Sequence, residues 1–288
     1  MMISKETIIK DLKDLGLQEG DCVFLNSDLL RVGYLNKTKK KTLEDWVDIF
    51  KEVLGEKGTL ILPSYTATFF RWKKNKNIIF NRDSPTYAGA FPSFLLGKEE
   101  AYRSTHPTHS CVAIGFDAEN ITNKHTEESL SYSILGEIIE KKGKFLLLGT
   151  LDKNNAPQGM HYAQEILGYT KKSPYKHLIQ TFYSKKNKVS LFTKKDIGGC
   201  SRGGYNLYGE LLVNNEIVLG KVGNADSALM NAKESTELIT RKLKDKPTIT
   251  QCDHSDCMDC YGSFYMNGMK IFPFYIKLIF SKIMTYGK

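Results

Sequence analysis

Thr42-Leu-Glu-Asp-Trp-Val-Asp-Ile-Phe-Lys-Glu-Val-Leu-Gly55, followed shortly by Thr59-Leu-Ile-Leu62, sets the fold class of this chain. Leu43, Trp46, Val47, Phe50, Val53 and Leu54 recur at helical spacing and form one apolar face that Gly55 stops, and Thr42 with Asp45 has the spacing of a capping box. Thr59 to Leu62 is then a short buried strand entering the loop Pro63-Ser-Tyr-Thr66. Upstream, Ser4 caps a helix carrying Ile8, Ile9, Leu12 and Leu15 that Gly16 ends, and a strand follows at Asp21 to Ser27. Downstream, Cys111 to Gly115 and Lys144 to Gly149 read as buried strands. His177 to Ser184 with Val189 to Thr193 reads as a hairpin across Lys185-Lys-Asn187. Helices and strands alternate before a hairpin intervenes, which predicts an α/β fold: a single domain over residues 1–288, with a mixed β-sheet and helices on both faces.

The 288 residues are 41% hydrophobic and 25% charged, ordinary globular values, with no fixed-period repeat and no Pro-, Gly- or Ser-rich linker. The net charge of +9 comes from lysines spread along the chain, which argues against a nucleic-acid groove and for anionic over polycationic small molecules. The amino terminus enters an amphipathic helix without an apolar signal stretch, and the expectation is a cytoplasmic protein. The tail from Ile271 to Tyr286 is apolar, but Lys277 and Lys282 interrupt it and it is too short for a transmembrane span. Packing on the core or on a partner subunit, and contact with a membrane interface, both stay open for it.

Chemistry concentrates first in Arg103-Ser-Thr-His106-Pro-Thr-His109-Ser110, where two imidazoles, four hydroxyls and a rigid proline precede a buried strand. This is either a group-transfer site or a turn whose hydroxyls satisfy the backbone. In open α/β sheets ligands gather beyond the strand ends. The loops there carry Asn26, Ser27 and Asp28; Ser64, Tyr65 and Thr66; and Gly159-Met-His161, which opens a helix. Hydroxyls and amides at helix starts suit a phosphate or a thioester oxygen.

Six cysteines in a reducing compartment are thiols or metal ligands. Cys22, Cys111 and Cys200 read as small buried residues. Cys252-Asp-His254-Ser-Asp-Cys257-Met-Asp-Cys260 has ligand types suited to zinc, with a knuckle-like gap between Cys257 and Cys260, but no distant ligand pair completes it. A surface turn with reduced thiols and no metal is the leading reading, with zinc at Cys252, Cys257 and Cys260 as the other.

With these pieces in order, the chain resembles the aminoglycoside 3-N-acetyltransferases, also called antibiotic N-acetyltransferases. The resemblance rests on Leu15 to Ser27, Gly58 to Thr66, Phe80 to Gly89, His106-Pro-Thr-His-Ser110, Gly143 to Gly149, the His161 helix, Cys200-Ser201 and Gly220 to Ala225. It implies one α/β domain that transfers acetyl from acetyl-coenzyme A, bound as co-substrate, to a small-molecule amine on a sugar. His161 then corresponds to the family's catalytic histidine and acts as base, with Glu210 as its expected acidic partner and Glu165 as second choice. Thr108, His109 and Ser110 line the thioester site, with Ser110 also holding the oxyanion at about 3 kcal/mol per donor. Ser27, Thr66 and Gly89 contact the cofactor.

This chain departs from the family pattern in three places. Asn26-Ser27-Asp28 stands where the family has His-Ser-Ser, Gln164 stands where an acidic residue follows the histidine, and the segment 251–288 matches no family feature. The basic charge favours an anionic, nucleotide-linked amino sugar, such as one destined for a surface polysaccharide, over a polycationic aminoglycoside, the antibiotic-resistance reading being the runner-up. From other classes stand a thiol acyltransferase using Cys111 with His109, a zinc-dependent hydrolase, and a non-catalytic coenzyme A-binding module.

Overall fold

The structure is a computed structural model and describes residues 2–152, 154–173, 175–186, 188–254, 257–261 and 276. Its strands are β1 (Cys22–Ser27), β2 (Thr59–Pro63), β3 (Phe69–Phe70), β4 (Ile79–Phe80), β5 (Tyr102–Arg103), β6 (Cys111–Gly115), β7 (Lys144–Leu148), β8 (Ile179–Lys185), β9 (Lys188–Thr193), β10 (Val218–Val222) and β11 (Ala225–Asn231). Seven of them form one sheet in the order β10-β11-β7-β1-β2-β6-β5. β7, β1 and β2 run parallel at its centre, and every flanking pair is antiparallel. The expected mixed sheet is therefore present.

Successive residues of β1 point to opposite faces. Val23 and Leu25 pack with Ile8, Leu12, Trp46 and Phe50 from the helices Lys5–Leu15 and Lys39–Leu54. Cys22 and Phe24 pack on the other side with Ile121, Ile138, Ala163 and Ile239. Helices thus cover both faces. Trp46 and Phe50 are fully buried, and truncating either to alanine would cost about 3–5 kcal/mol. The hairpin forms as β8 and β9, in a second sheet where β8 also pairs with β3 and β4; Asn187 of its turn lies outside the described residues.

The cap of the helix Lys39–Leu54 falls one turn earlier than the sequence spacing predicts. Thr38 accepts from the Lys41 amide, so Thr42 and Asp45 lie inside the helix. The Thr42 hydroxyl instead holds the Asn36 backbone and Asp45 pairs with Lys5 at 2.9 Å. Gly16 and Gly55 end their helices with positive φ, as read from the sequence. The apolar tail, Ile276 excepted, lies outside the described residues, and no helix among those described is long and apolar enough to cross a membrane.

Candidate active site

His161 sits on the first turn of the helix Met160–Ile166, which Gly159 opens at φ 89°. The connection from β7 to this helix is stapled into the sheet by Gln158, whose side-chain amide donates to the carbonyls of Phe24 and Leu146. His161 lines a cavity of about 270 Å³ together with Asn26, Tyr65, His109, Tyr132 and Ser201. Tyr132 lies between the two imidazoles, stacked on His161 at 4.9 Å and edge-on to His109 at 5.1 Å.

The hydrogen bonds fix the tautomer of His161. Gln164 Oε1 accepts from the Gly199 amide at 2.9 Å, so this atom is the oxygen, and His161 Nδ1 at 3.0 Å must donate to it. Nε2 is left with its lone pair, which accepts from the Ser201 hydroxyl at 3.1 Å. Burial pushes the His161 pKa down to about 4, against the smaller raising effect of Gln164, so the imidazole is neutral at pH 7. Gly198 and Gly199 are required for this packing. A Cβ at Gly198 would lie 2.6 Å from His161 Nδ1, and one at Gly199 would lie 2.7 Å from Gln164 Nε2.

Neither carboxylate expected at His161 is there. Glu210 pairs with Lys242 at 2.7 Å and lines a separate cleft with Arg202 and Lys246. Glu165 makes no hydrogen bond to His161; its carboxylate accepts from the Tyr132 amide, and it is pushed up to about 8 by burial and by Asp196. Both positions neighbour His161 on the helix, but it is the Gln164 amide that bonds the imidazole, while the Glu165 carboxylate is taken by the Tyr132 backbone.

The His-Pro-Thr-His-Ser segment divides into structural and site-facing residues. His106 is fully buried, and its Nδ1 accepts from the amides of Thr108 and His109, which makes it the organiser of the turn. Ser110 is also fully buried: its hydroxyl donates to the Ser64 carbonyl and accepts from Arg103 Nε. It lines none of the described cavities and has no hydroxyl free for an oxyanion, contrary to the expectation from sequence. Thr66 and Thr108 are buried too: Thr66 donates to the Pro107 carbonyl at 2.6 Å, and Thr108 Oγ1 lies 3.0 Å from His109 Nδ1. His109 does face the cavity, and its Nε2 is 3.2 Å from Lys194 Nζ, an amine that burial lowers to about 8. Cys111 lines the cavity, but burial pushes its thiol well above the usual range and its sulfur lies near the His109 carbonyl, which leaves no base for a thiolate nucleophile.

Ser27 and Gly89 meet on a second cavity, of about 440 Å³, with Lys39 and Tyr34. Gly89 has φ 121° and open space where a Cβ would be, so the cavity reaches its backbone. Asn26 lines the His161 cavity and Ser27 lines this one, so the carboxyl end of β1 separates the two. Tyr132, Lys194 and the glycine pair carry no role in the sequence reading, and Ser201 enters it only within the Cys200-Ser201 element of the family resemblance.

The family model of the aminoglycoside 3-N-acetyltransferases matches residues 24–244, well over half of the chain. The chain belongs to this family. The SPbeta prophage-derived aminoglycoside N(3')-acetyltransferase-like protein YokD of Bacillus subtilis is 28% identical over 166 residues, 51% of this chain and 60% of the relative. Aminoglycoside N(3)-acetyltransferase VII of Streptomyces paromomycinus is 27% identical over 166 residues, 51% of this chain and 56% of that one. The match thus spans less than two thirds of either relative. The fold of this aminoglycoside 3-N-acetyltransferase family member also agrees with the apoenzyme of the aminoglycoside acetyltransferase AAC(3)-IVa, at a TM-score of 0.74 and 19% identity over 91% of this chain and 97% of that one. AAC-IIIb in its binary complex with CoASH is similar at 0.72, with 21% identity over 85% and 98%.

Proposed function

We propose that the protein is an N-acetyltransferase that moves acetyl from acetyl-coenzyme A to the amine of an amino sugar in one direct displacement, with His161 as general base. The observation that carries this reading is the unprotonated Nε2 of His161, bonded only to the Ser201 hydroxyl and oriented by Gln164 and by the backbone of Gly198 and Gly199 beside a cavity. A neutral imidazole is the form that accepts a proton. As the amine attacks the thioester carbonyl its nitrogen becomes cationic and strongly acidic, so a weak base suffices to remove the proton, and coenzyme A leaves as thiol. The acceptor amine displaces the Ser201 hydroxyl from Nε2.

The cavity that holds Ser27 and Gly89 suits the cofactor: it is reached by backbone at Gly89 and carries the Lys39 ammonium for an anionic group. A likeness in fold to AAC-IIIb, which binds CoASH, supports that choice.

The acceptor follows from the lining around His161. Among the described residues that cavity contains no carboxylate, whereas a polycationic aminoglycoside calls for several. A neutral or anionic amino sugar, such as a nucleotide-linked one, fits better. An aminoglycoside is the second reading, favoured by the names of the relatives and by Glu210 and Asp253 in the neighbouring cleft. The test is thiol release from acetyl-coenzyme A against a panel of aminoglycosides and nucleotide-linked amino sugars. Release with the latter alone supports the proposal, and release with the former alone replaces the acceptor. Tight cofactor binding with no release would make the protein a non-catalytic binding module.

A further inference from the structure

We propose that Cys200, Cys252, Cys257 and Cys260 form a tetrathiolate site for one structural zinc ion, which ties the segment after residue 250 to the loop that carries Ser201 to His161. This goes beyond the proposed acetyl transfer and does not depend on it.

The four Sγ atoms all lie within 4.8 Å of one another. Cys200 and Cys257 are 3.6 Å apart, as are Cys252 and Cys260. Sulfurs at the corners of a tetrahedron with zinc–sulfur bonds of 2.3 Å are roughly 3.8 Å apart, which these spacings match, whereas a disulfide would draw each pair to about 2.05 Å. The grouping also leaves room for a single ion only, since in an iron–sulfur cluster the cysteines ligate different irons and spread farther apart.

Cys200 supplies the distant ligand that the spacing of Cys252, Cys257 and Cys260 lacks. Two backbone amides point at the sulfurs, Gly203 at Cys200 from 3.4 Å and Cys252 at Cys260 from 3.3 Å. Such donors stabilise thiolate charge and orient metal ligands. Cys200 and Cys260 are buried. His254 is exposed and faces Asp253 at 3.8 Å, apart from the ligand set. Four protein ligands close a tetrahedral zinc, leaving no position for water or substrate, so the ion is structural and gives no hydrolase chemistry. Zinc is favoured over ferrous iron at the same thiolates by the general order of metal affinities.

The ion would brace packing that is already tight. A Cβ at Gly203 would fall 1.9 Å from the Thr250 carbonyl oxygen, and the Asn206 amide donates to the carbonyls of Ile249 and Gln251. Cys200 is followed directly by Ser201 and preceded by the glycines that lie on His161 and Gln164. Zinc at the cluster therefore fixes one wall of the His161 cavity.

The test is elemental analysis of the full chain, purified under reducing conditions without chelator, joined to cobalt replacement. One zinc per chain is expected, and after its removal Co(II) should give the intense thiolate charge-transfer and tetrahedral ligand-field bands of a tetrathiolate site. Cys200→Ser and Cys257→Ser should each bind zinc at least tenfold more weakly, while Cys22→Ala stays at one per chain. Both wild-type readouts stand without any turnover assay and without a variant that folds. No bound metal together with no cobalt–thiolate spectrum overturns the proposal; so does one iron per chain in place of zinc, or disulfides joining these cysteines in the reduced preparation.

Discussion

Gln164 Oε1 lies 3.0 Å from Nδ1 of His161 and 2.9 Å from the amide of Gly199, where a carboxylate would make a charged dyad. An amide orients the imidazole and stabilises its cation less than a carboxylate would. Replacing Gln164 with Glu places negative charge against Nδ1 and raises the His161 pKa from about 4. The base must be neutral to act, so the acidic limb of the kcat profile should move to higher pH. An unshifted limb, with the variant folded, would contradict the assigned partner.

Ser201 separates direct from covalent transfer. Its hydroxyl occupies Nε2 of His161 at 3.1 Å, the geometry of a serine nucleophile and its base. In direct transfer it is merely displaced by the acceptor, and Ser201→Ala should change kcat by no more than about tenfold, with both substrates required before product forms. A loss of activity of about 10³-fold or more, with double-displacement kinetics, would make it an acyl-enzyme serine.

Glu210 lies outside the His161 cavity and is bound to Lys242 at 2.7 Å. Glu210→Gln should leave kcat unchanged and cost no more than about 1 kcal/mol, the range of a partly exposed ion pair. A large fall in kcat with unchanged melting temperature would restore it as the partner of His161.

The sheet, its helices on both faces and the hairpin were legible because each rests on local periodicity: Leu43 to Leu54 can only bury its face as a helix, and Lys144 to Leu148 as a strand. The cap was misplaced because Thr38 and Thr42 are one turn apart, and only the fold shows that Thr42 holds Asn36. His161 was legible from its place at a strand-to-helix connection. Its true partners were not, because Ser201, Gly199 and Tyr132 reach it from distant segments and small residues carry no spacing signal. Ser110 looked catalytic by type, yet Arg103 and Ser64 consume its hydroxyl, a competition visible only in three dimensions.

Four histidines with lowered pKa, His106 and His125 buried and His109 and His161 half-buried, make stability pH-dependent. Burial lowers His106, His109, His125 and His161, with His125 and His161 reaching about 4. An unfolded histidine binds its proton near pH 6.5, so the stabilisation is complete above that pH and is lost as pH falls toward 4. The melting temperature should fall across this window. His125→Gln removes one titrating group and should flatten the fall, by up to about 1.4 kcal/mol per pH unit. Equal slopes in the two proteins would contradict the buried neutral state of His125.

The central claim is that His161 is the base, and the most direct measurement is thiol release by His161→Ala beside its affinity for coenzyme A. The account predicts turnover lower by about 10² to 10⁴-fold with cofactor binding unchanged, because it seats the cofactor at the Ser27 and Gly89 cavity across the end of β1. Turnover equal to that of the unaltered protein would remove His161 from the chemistry, and with it the mechanism built on its Nε2.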